Sequence, residues 1–538
     1  MSDEVAYLPA WVRRRDGSQV PFEADRICQS LYAAAEAIGG MPSAFLTREL
    51  TDVVLHFLAQ TPFDGIPSTA QIAEHVEKIV REVGQPVLAR HYAEMQSPGT
   101  TVAGREESRI TIACEGPPER FLRDCVRAYA QQAIFSRDVT AAIREGLLHV
   151  GGLAAPAALS SLVLETPRLA EVLWWLALDD WRASGGERWI VESPEWLCTG
   201  QAHPALTPHL CERLLSLPTL AQRSIELHLN VAEPPAWSVA HPARPLFTPD
   251  EEEATLQERS NFLDGLLERW KTLDSPKVPA IAWHLHERSF RDETERRQLH
   301  DMLRQALMGK AIRFVFDRPR SAIILAEGVD RRCPGVLLEV GLDLGAMAQR
   351  PEIEKDGATL LKKLPSLARI AVSAAAQKRQ FLRGLPDTSP LKRRFLIERA
   401  SAVVVPSGLD EAVRSITGES LSRSPLSLDF AMQILQTLNE VLVKAGRSIN
   451  LDLRLDSPAL PAAVATLSSA RQLEIAGKLH ASAGAGTASL LLADDEQADV
   501  GSLLELLQSA WSSTSVARLR LQRAGVAVRQ GEFAIQES

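Results

Sequence analysis

The chain has 538 residues, of which 45% are hydrophobic and 24% are charged. This composition is typical of a globular protein with about two to four domains. A net charge of −9 argues against nucleic acid as a partner. No apolar run reaches the roughly 20 residues that span a bilayer, so no membrane partner is expected. The N-terminus is acidic and no apolar segment follows it. The sequence therefore predicts a cytoplasmic protein without a signal peptide.

A short basic segment near the N-terminus, residues 11–27, has the pattern of a β-hairpin that leads into a helix. Two strand-like runs flank Asp16-Gly17, which predicts a two-residue type I′ turn. Three arginines stand on the first strand, and a helix is predicted to open near Ala24. Guanidinium groups and free helix N–H groups both suit phosphate. The pattern alone also fits a solvated edge hairpin without a ligand.

The order of residues in this segment resembles the signature of the ATP-cone family, V-x-K-R-D-G…V-x-F…K-I. Val12-x-Arg14-Arg15-Asp16-Gly17 is followed by Val20-Pro21-Phe22 and then by Arg26-Ile27, with arginine in place of lysine at positions 14 and 26. The resemblance implies that ATP or dATP binds as an effector. It implies that Val12 packs on the base or ribose and that the arginines pair with the triphosphate. The predicted nucleotide-binding residues are Val12, Arg14, Arg15, Asp16 and Arg26.

Three amphipathic segments follow the hairpin, so residues 1–95 are predicted to form a small helical domain with a β-hairpin lid. Ser68-x-x-Gln71 has the pattern of a capping box at the start of the third helix. Ser97-Pro98-Gly99 lies in a polar stretch, which predicts a linker over residues 96–110.

Residues 111–538 alternate short apolar runs with long helical patterns, which predicts an α/β domain with a large barrel or sheet. A long helix over Glu352–Leu382 is expected to break near Pro365. Trp174, Trp175 and Trp181 are at helical spacing in an earlier segment, and their side chains are expected to be core residues. The predicted strands are Ser224–Val231, Ala280–His284, Ala311–Phe316, Gly335–Val340, Ala402–Pro406, Ser448–Leu455 and Ala488–Leu492.

Several segments in this region, in the same order, resemble the catalytic barrel of class III (anaerobic, glycyl-radical) ribonucleotide reductases. That family also carries an ATP-cone. The resemblance covers roughly residues 115–525 and implies a reductase-type α/β barrel. The segments are Arg144–Val150, Val278–Ala282, Pro334–Val340, Ser407–Val413 with Ile416–Ser420, Asn450–Arg454 with Ser457–Ala459, and Ala483–Thr487.

The departures from the reductase pattern concern its chemistry. The family uses a glycyl radical near the C-terminus, a thiyl-forming cysteine at the tip of a barrel loop, a second cysteine and a four-cysteine zinc site. Here no cysteine follows Cys333, no cysteine stands on the strand after Gly146, and the Arg523–Val526 segment lacks the aromatic partner of a radical loop. We therefore expect no catalytic residues, and a domain without the glycyl-radical and zinc-ribbon C-terminus.

Two residues keep alternative interpretations. Cys333 precedes a predicted strand, where it is either a loop-tip cysteine or a thiol at the strand entrance. Glu339 stands where the family strand has a polar residue, and it is either a remnant substrate contact or a paired carboxylate. No metal is predicted, because the chain has no C-x-x-C pair and His284-x-His286 alone is a weak metal motif.

Three functions remain open at this point. The first is an ATP- or dATP-binding regulatory protein with a degenerate reductase-like domain, acting as a homo-oligomer or on a reductase-related partner. The second is a divergent ribonucleoside-triphosphate reductase subunit that receives its radical from a separate protein. A transcriptional repressor also uses an ATP-cone but carries a zinc ribbon before it, and this chain begins at the cone.

Overall fold

The computed structural model describes residues 8–39, 42–96, 118–164, 186–198, 207–221, 224–235, 249–273, 278–353, 356–461, 464, 466–492 and 499–523. The linker predicted over residues 96–110, apart from its first residue, and the predicted helix with Trp174, Trp175 and Trp181 lie outside these residues. Within the described ranges, no helix combines the length and apolar character that a membrane span requires.

The N-terminal region is a helical bundle under a two-stranded sheet. Strands β1 (Trp11–Arg13) and β2 (Gln19–Pro21) pair antiparallel, with Val12 opposite Val20. Its helices are α1 (Ala24–Ala37), α2 (Ala44–Ala59), α3 (Thr69–Glu82) and α4 (Pro86–Gln96). The predicted capping box is present, with Ser68 and Gln71 bonded to each other's backbone N–H. The predicted helical domain with a hairpin lid is therefore confirmed.

The hairpin turn differs from the predicted type I′ turn. The N–H of Arg14 donates to the Ser18 carbonyl at 2.8 Å, and the N–H of Gly17 donates to the Arg14 carbonyl at 3.0 Å. The loop therefore holds three residues, and of these only Gly17 has a positive φ, 83°. This geometry is that of a type I turn closed by a left-handed glycine, so Asp16 keeps an ordinary φ.

The second region is built on one large sheet whose path has ten strands, in the order β13-β12-β11-β4-β5-β6-β7-β8-β15-β14, with β3 paired to β11 beside it. The strands are β3 (Leu148–Val150), β4 (Leu159–Leu164), β5 (Gly186–Glu192), β6 (Ser224–Leu229), β7 (Ala280–Leu285), β8 (Ile312–Phe316), β11 (Gly335–Asp343), β12 (Ala400–Ser407), β13 (Leu453–Leu455), β14 (Thr487–Leu492) and β15 (Arg518–Arg523).

The sheet closes on itself as a barrel of two halves. Strands β4 to β8 are mutually parallel, as are β11 to β13 and β14 to β15. The first of these three sets meets the other two antiparallel, at β4–β11 and at β8–β15. The ring closes where Ser457, just after β13, bridges to Gly486, just before β14, and the Ser457 N–H donates to the Ala485 carbonyl at 2.9 Å. A closed barrel has no exposed edges, and the predicted α/β barrel is confirmed.

Helices surround the barrel. They are α5 (Pro118–Ile134), α6 (Arg137–Arg144), α7 (Thr207–Ala221), α8 (Pro249–Thr272), α9 (Glu287–Arg291), α10 (Glu293–Leu307), α11 (Leu344–Ala348), α12 (Gly357–Arg383), α13 (Pro390–Arg394), α14 (Leu409–Thr417), α15 (Pro425–Ile449), α16 (Ser469–Ala483) and α17 (Val500–Ser513). The predicted break near Pro365 is wrong, because α12 continues through it. Packing of α12 against α15 and β11 outweighs the one backbone hydrogen bond that a proline removes.

A β-hairpin enters the barrel between β8 and β11. We call residues 323–330 the finger. It contains β9 (Ile324–Ala326) and β10 (Val329–Asp330), which pair antiparallel. Its apolar side chains form one buried cluster with inward-facing residues of the barrel strands, among them Ile190 of β5 and Val403 of β12. The finger tip, Glu327-Gly328, therefore lies inside the barrel.

The cone region docks on the barrel through α2. The N–H of Ala44 donates to Glu145 Oε1 at 2.6 Å, so a barrel carboxylate caps the first turn of α2. Phe45 is buried in the barrel's own core cluster. Its ring lies beneath the cations of Arg350 and Lys363, at 5.1 and 5.4 Å from the ring centre.

Candidate nucleotide site and barrel interior

The hairpin loop carries the predicted phosphate-binding residues on an ordered turn. Asp16 Oδ1 accepts hydrogen bonds from the Ser18 N–H at 2.9 Å and from the Ser18 hydroxyl at 2.6 Å. These bonds, with the charge of Arg14, lower the pKa of the Asp16 carboxyl. Asp16 is therefore ionised near neutral pH and uses its side chain to fix the turn, as aspartate commonly does in loops.

The three predicted phosphate-binding arginines, Arg14, Arg15 and Arg26, are exposed. Arg15 donates to the carbonyl of Gln96 at the end of α4. Arg26, in the first turn of α1, pairs with Glu23 at 2.7 Å, and both side chains are more than half exposed. Exposed pairs of this kind contribute little stability, so Arg26 can leave Glu23 at small cost.

Val12 has a different position from the one that the sequence suggested. Its side chain is 5% exposed and belongs to the buried cluster of the cone, together with Ile27 and Leu31. The Arg13 N–H, next in the chain, donates to the Pro67 carbonyl at 2.9 Å. Val12 therefore anchors the hairpin on the helices, and little of it is free to contact a base or ribose.

Glu327, at the finger tip, is surrounded by three arginines from different barrel strands. Arg188 Nη1 lies 2.6 Å from Glu327 Oε2. The guanidinium groups of Arg313 and Arg518 lie 3.4 and 3.7 Å from Glu327 Oε1. Burial opposes ionisation of Glu327, but these three cations hold its pKa well below the usual range. The finger tip is therefore an ionised carboxylate inside an arginine cluster.

Further carboxyl groups balance the arginine charges. Arg313 pairs with Glu226 at 3.1 Å, and Arg518 pairs with Asp456 at 2.7 Å. Burial and the charge of Glu327 raise the pKa of Glu339 to about 7. Three guanidinium groups thus face three paired carboxylates and a fourth, Glu339, that is partly protonated at neutral pH. Among the described residues, each of the three guanidinium groups is therefore paired with at least one carboxylate.

Gly328 beside Glu327 allows the finger to approach β12 closely. Its φ is 67°, and a Cβ added to it would lie 2.0 Å from Val403 Cγ2. The Ser401 hydroxyl donates to the Gly328 carbonyl at 2.7 Å. Only glycine meets both the backbone conformation and the spacing at this position.

Cys333 lies away from the finger tip, at the entrance to β11. Its thiol contacts Asp452 Oδ2 at 3.1 Å, and its backbone N–H donates to Asp330 Oδ1 at 2.7 Å. Burial and the contact with Asp452 raise the pKa of the Cys333 thiol to about 11. Of the two interpretations that the sequence left open, the strand-entrance thiol is the one observed.

A buried chain of hydrogen bonds lies at the carboxyl ends of β6, β7 and β8. His284 Nδ1 is 2.9 Å from Asp317 Oδ1, and its Nε2 is 2.9 Å from His228 Nδ1. Burial and the neighbouring cations lower the pKa of His228 well below its usual value. His286 instead lies 3.5 Å from Glu295. The side chains of the two histidines of the His284-x-His286 motif therefore contact different carboxylates.

Comparisons with known proteins agree with both regions. Residues 11–98 match the ATP cone domain family. No curated protein sequence matches the chain significantly.

The fold matches solved anaerobic ribonucleotide reductases. One such enzyme has a TM-score of 0.56 and 12% identity, over 75% of this chain and 77% of its own. The Thermotoga maritima enzyme in complex with dATP and CTP has a TM-score of 0.52 and 12% identity, over 74% and 81% of the two chains. The same enzyme with dATP in its specificity site has a TM-score of 0.53 and 13% identity, over 74% and 83%.

The class of protein follows from these matches and from the geometry. The chain carries an N-terminal ATP-cone domain, a nucleotide-binding regulatory module, followed by a barrel with the fold of anaerobic ribonucleotide reductases.

Proposed function

We propose that the protein is an ATP- or dATP-binding regulatory protein whose reductase-like barrel does not reduce ribonucleotides. The observation that supports this most strongly is the finger tip. In the reductases that the sequence resembles, this loop tip carries the cysteine that forms the thiyl radical. Here the tip is Glu327-Gly328, and Glu327 is held by Arg188, Arg313 and Arg518. A carboxylate cannot replace a thiol in taking a hydrogen atom from ribose.

The alternative is a divergent reductase subunit that receives its radical from a separate protein. The retained barrel and its inserted finger suit both functions. The alternative requires a thiol within the barrel next to the substrate. Of the four cysteines with described side chains, Cys28 lies in the cone, and Cys125 and Cys211 lie on α5 and α7. Cys333, the fourth, contacts Asp452 at the strand entrance, so none of the four supports this alternative.

The nucleotide site of this proposal comprises Arg14, Arg15 and Arg26 as triphosphate contacts, Asp16 as the turn-fixing residue and Val12 as the anchor of the hairpin. The effector is ATP or dATP. Its binding changes the assembly of the protein with its own copies or with a reductase-related partner in the cytoplasm. For this to happen, the nucleotide must bind the two assembly states with different affinities.

Replacing Arg15 with alanine should weaken nucleotide binding by about 1.5–3 kcal/mol, the size of a hydrogen bond to a charged group. Calorimetry on the full chain should give micromolar affinity for ATP or dATP, or about −8 kcal/mol. Arg13→Ala is the matched control, because Arg13 is an exposed arginine on the same hairpin outside the motif. Equal affinity in Arg15→Ala and wild type would refute the site assignment.

A further inference from the structure

The first turn of α1, which carries Arg26, is linked to the barrel through one residue of α2. Arg48 Nη1 donates to Asp25 Oδ1 at 2.7 Å, and Asp25 is the neighbour of Arg26 in the chain. The same nitrogen lies 3.2 Å from the Ser373 hydroxyl on α12 of the barrel. One guanidinium nitrogen therefore contacts both domains.

Arg48 is buried, so its contacts are not replaced by water. It is only 5% exposed. A buried arginine depends on its few partners for its charge to be stabilised, and losing one of them is costly. The position of Arg48 is therefore sensitive to the position of the Asp25 carboxylate.

A second carboxylate, that of Asp52, lies close to Arg48. The Nε of Arg48 is 3.7 Å from Asp52 Oδ1, and neither atom has a hydrogen-bond partner among the described residues. The other Asp52 oxygen, Oδ2, is held from the barrel side by Arg369 at 2.7 Å and by Ser366 at 2.6 Å. A shift of less than 1 Å would convert the loose Arg48–Asp52 contact into a hydrogen bond.

Bound nucleotide would act on this arrangement through charge. A triphosphate held by Arg26 places several negative charges beside Asp25, and like charges repel at this range. Repulsion of the Asp25 carboxylate weakens its attraction for Arg48. The guanidinium then moves toward Asp52, which α12 holds in place.

We infer that Arg48 is the positioning residue that transmits nucleotide occupancy at the cone to helix α12 of the barrel, by changing its partner from Asp25 to Asp52. This inference rests on the proposed nucleotide site. The proposed step takes place within a single chain and requires no partner protein. Arg48 contacts neither the nucleotide nor a reacting atom.

Other contacts of α2 with the barrel serve as fixed anchors, and they provide a control. Glu49, next to Arg48, pairs with Lys363 of α12 at 2.7 Å, and this ion pair involves no residue of α1. Breaking this pair removes an ion pair of the same interface and leaves the contacts of Arg48 intact.

The test is hydrogen–deuterium exchange of the full chain with and without saturating ATP or dATP, read in peptides from residues 357–383. Wild type should show a nucleotide-dependent change in exchange in these peptides. Asp25→Asn, which keeps the shape and removes the charge, should bind nucleotide and lose at least four-fifths of that change. Asp25→Glu, which keeps the charge, and the control Glu49→Gln should retain it.

Calorimetry on the same samples distinguishes failure of the proposed function from failure of this inference. If wild type binds no nucleotide, the proposed function fails and the inference fails with it. If wild type binds nucleotide but residues 357–383 exchange unchanged, or if Asp25→Asn keeps the full response, only the inference is overturned. Should Asp25→Asn unfold, Asp52→Asn provides the same test from the accepting side, where the nucleotide-dependent change should again be lost.

Discussion

Replacing Glu327 with glutamine should lower the free energy of unfolding by about 3–5 kcal/mol, the cost of removing one member of a buried ionic group. Glu327 is the carboxylate shared by Arg188, Arg313 and Arg518. Glutamine keeps the size and loses the charge, so the three guanidinium groups keep their burial with less compensation. Urea denaturation of wild type and variant at pH 7 measures the difference.

The same substitution should show a definite dependence on pH. The three arginines hold the pKa of Glu327 well below its usual value in the folded state. A carboxyl with a lowered pKa stabilises the fold above its unfolded pKa of about 4.3, and this stabilisation disappears as pH falls through the folded pKa. The wild type should therefore lose more of its stability than Glu327→Gln as pH falls below about 4.

An exposed ion pair supplies the matched control. Glu398 pairs with Arg383 at 3.1 Å, and both side chains are about half exposed, at 45% and 46%. Glu398→Gln should cost less than about 1 kcal/mol, because exposed pairs are weak. Equal effects at positions 327 and 398 would mean that the arginine cluster does not hold the finger.

Replacing Gly328 with alanine should destabilise the protein by about 3 kcal/mol. Two costs combine at this residue. A left-handed backbone costs a non-glycine residue about 1–2 kcal/mol, and overpacking of a tight core costs about 1–3 kcal/mol. The added Cβ would lie 2.0 Å from Val403 Cγ2, which a side chain cannot accept without movement. Thermal or urea denaturation measures the loss.

Two further variants separate these costs. Gly146 has a φ of 72° and nothing within 4 Å of an added Cβ, so Gly146→Ala should show only the backbone cost. Combining Gly328→Ala with Val403→Ala removes the clashing methyl group, and the double variant should lose less stability than the sum of the two single variants. Strict additivity would contradict the close approach of finger and strand.

Elements with a strong local signal were predicted well from the sequence. The hairpin, the capping box at Ser68 and strands β6, β7, β8, β11, β12 and β14 stand close to the predicted positions. Each has a short apolar or alternating run, a turn glycine or a capping residue that acts over a few positions, so local chemistry suffices to place it.

Elements that depend on distant partners were missed. Strands β4, β5 and β15 carry polar or charged residues that face the barrel interior, among them Arg188 and Arg518, so their sequences do not read as buried strands. The predicted strand over Ser448–Leu455 begins inside helix α15, and only Leu453–Leu455 is strand. Barrel closure, and not local preference, fixes these segments.

The arrangement of residues inside the barrel was also not predicted from the sequence. Glu327 lies between two short apolar runs, and Glu-Gly between such runs is a weak hairpin signal. Its three arginine partners are far apart in the chain, and only the closed barrel brings them together. The sequence-based hypothesis of a barrel without reductase activity rests on missing cysteines. The arrangement around Glu327 supports the same proposal, because the finger tip holds a carboxylate paired with arginines.

A turnover assay tests the proposed lack of reductase activity. The purified full chain is incubated anaerobically with ribonucleoside triphosphates, ATP or dATP as effector, a reductant and a radical-generating activating enzyme, and deoxyribonucleotides are then quantified. We expect no deoxyribonucleotide above the level of a protein-free blank, in a preparation that binds ATP or dATP by calorimetry. Deoxyribonucleotide formed in proportion to the concentration of this chain would contradict it.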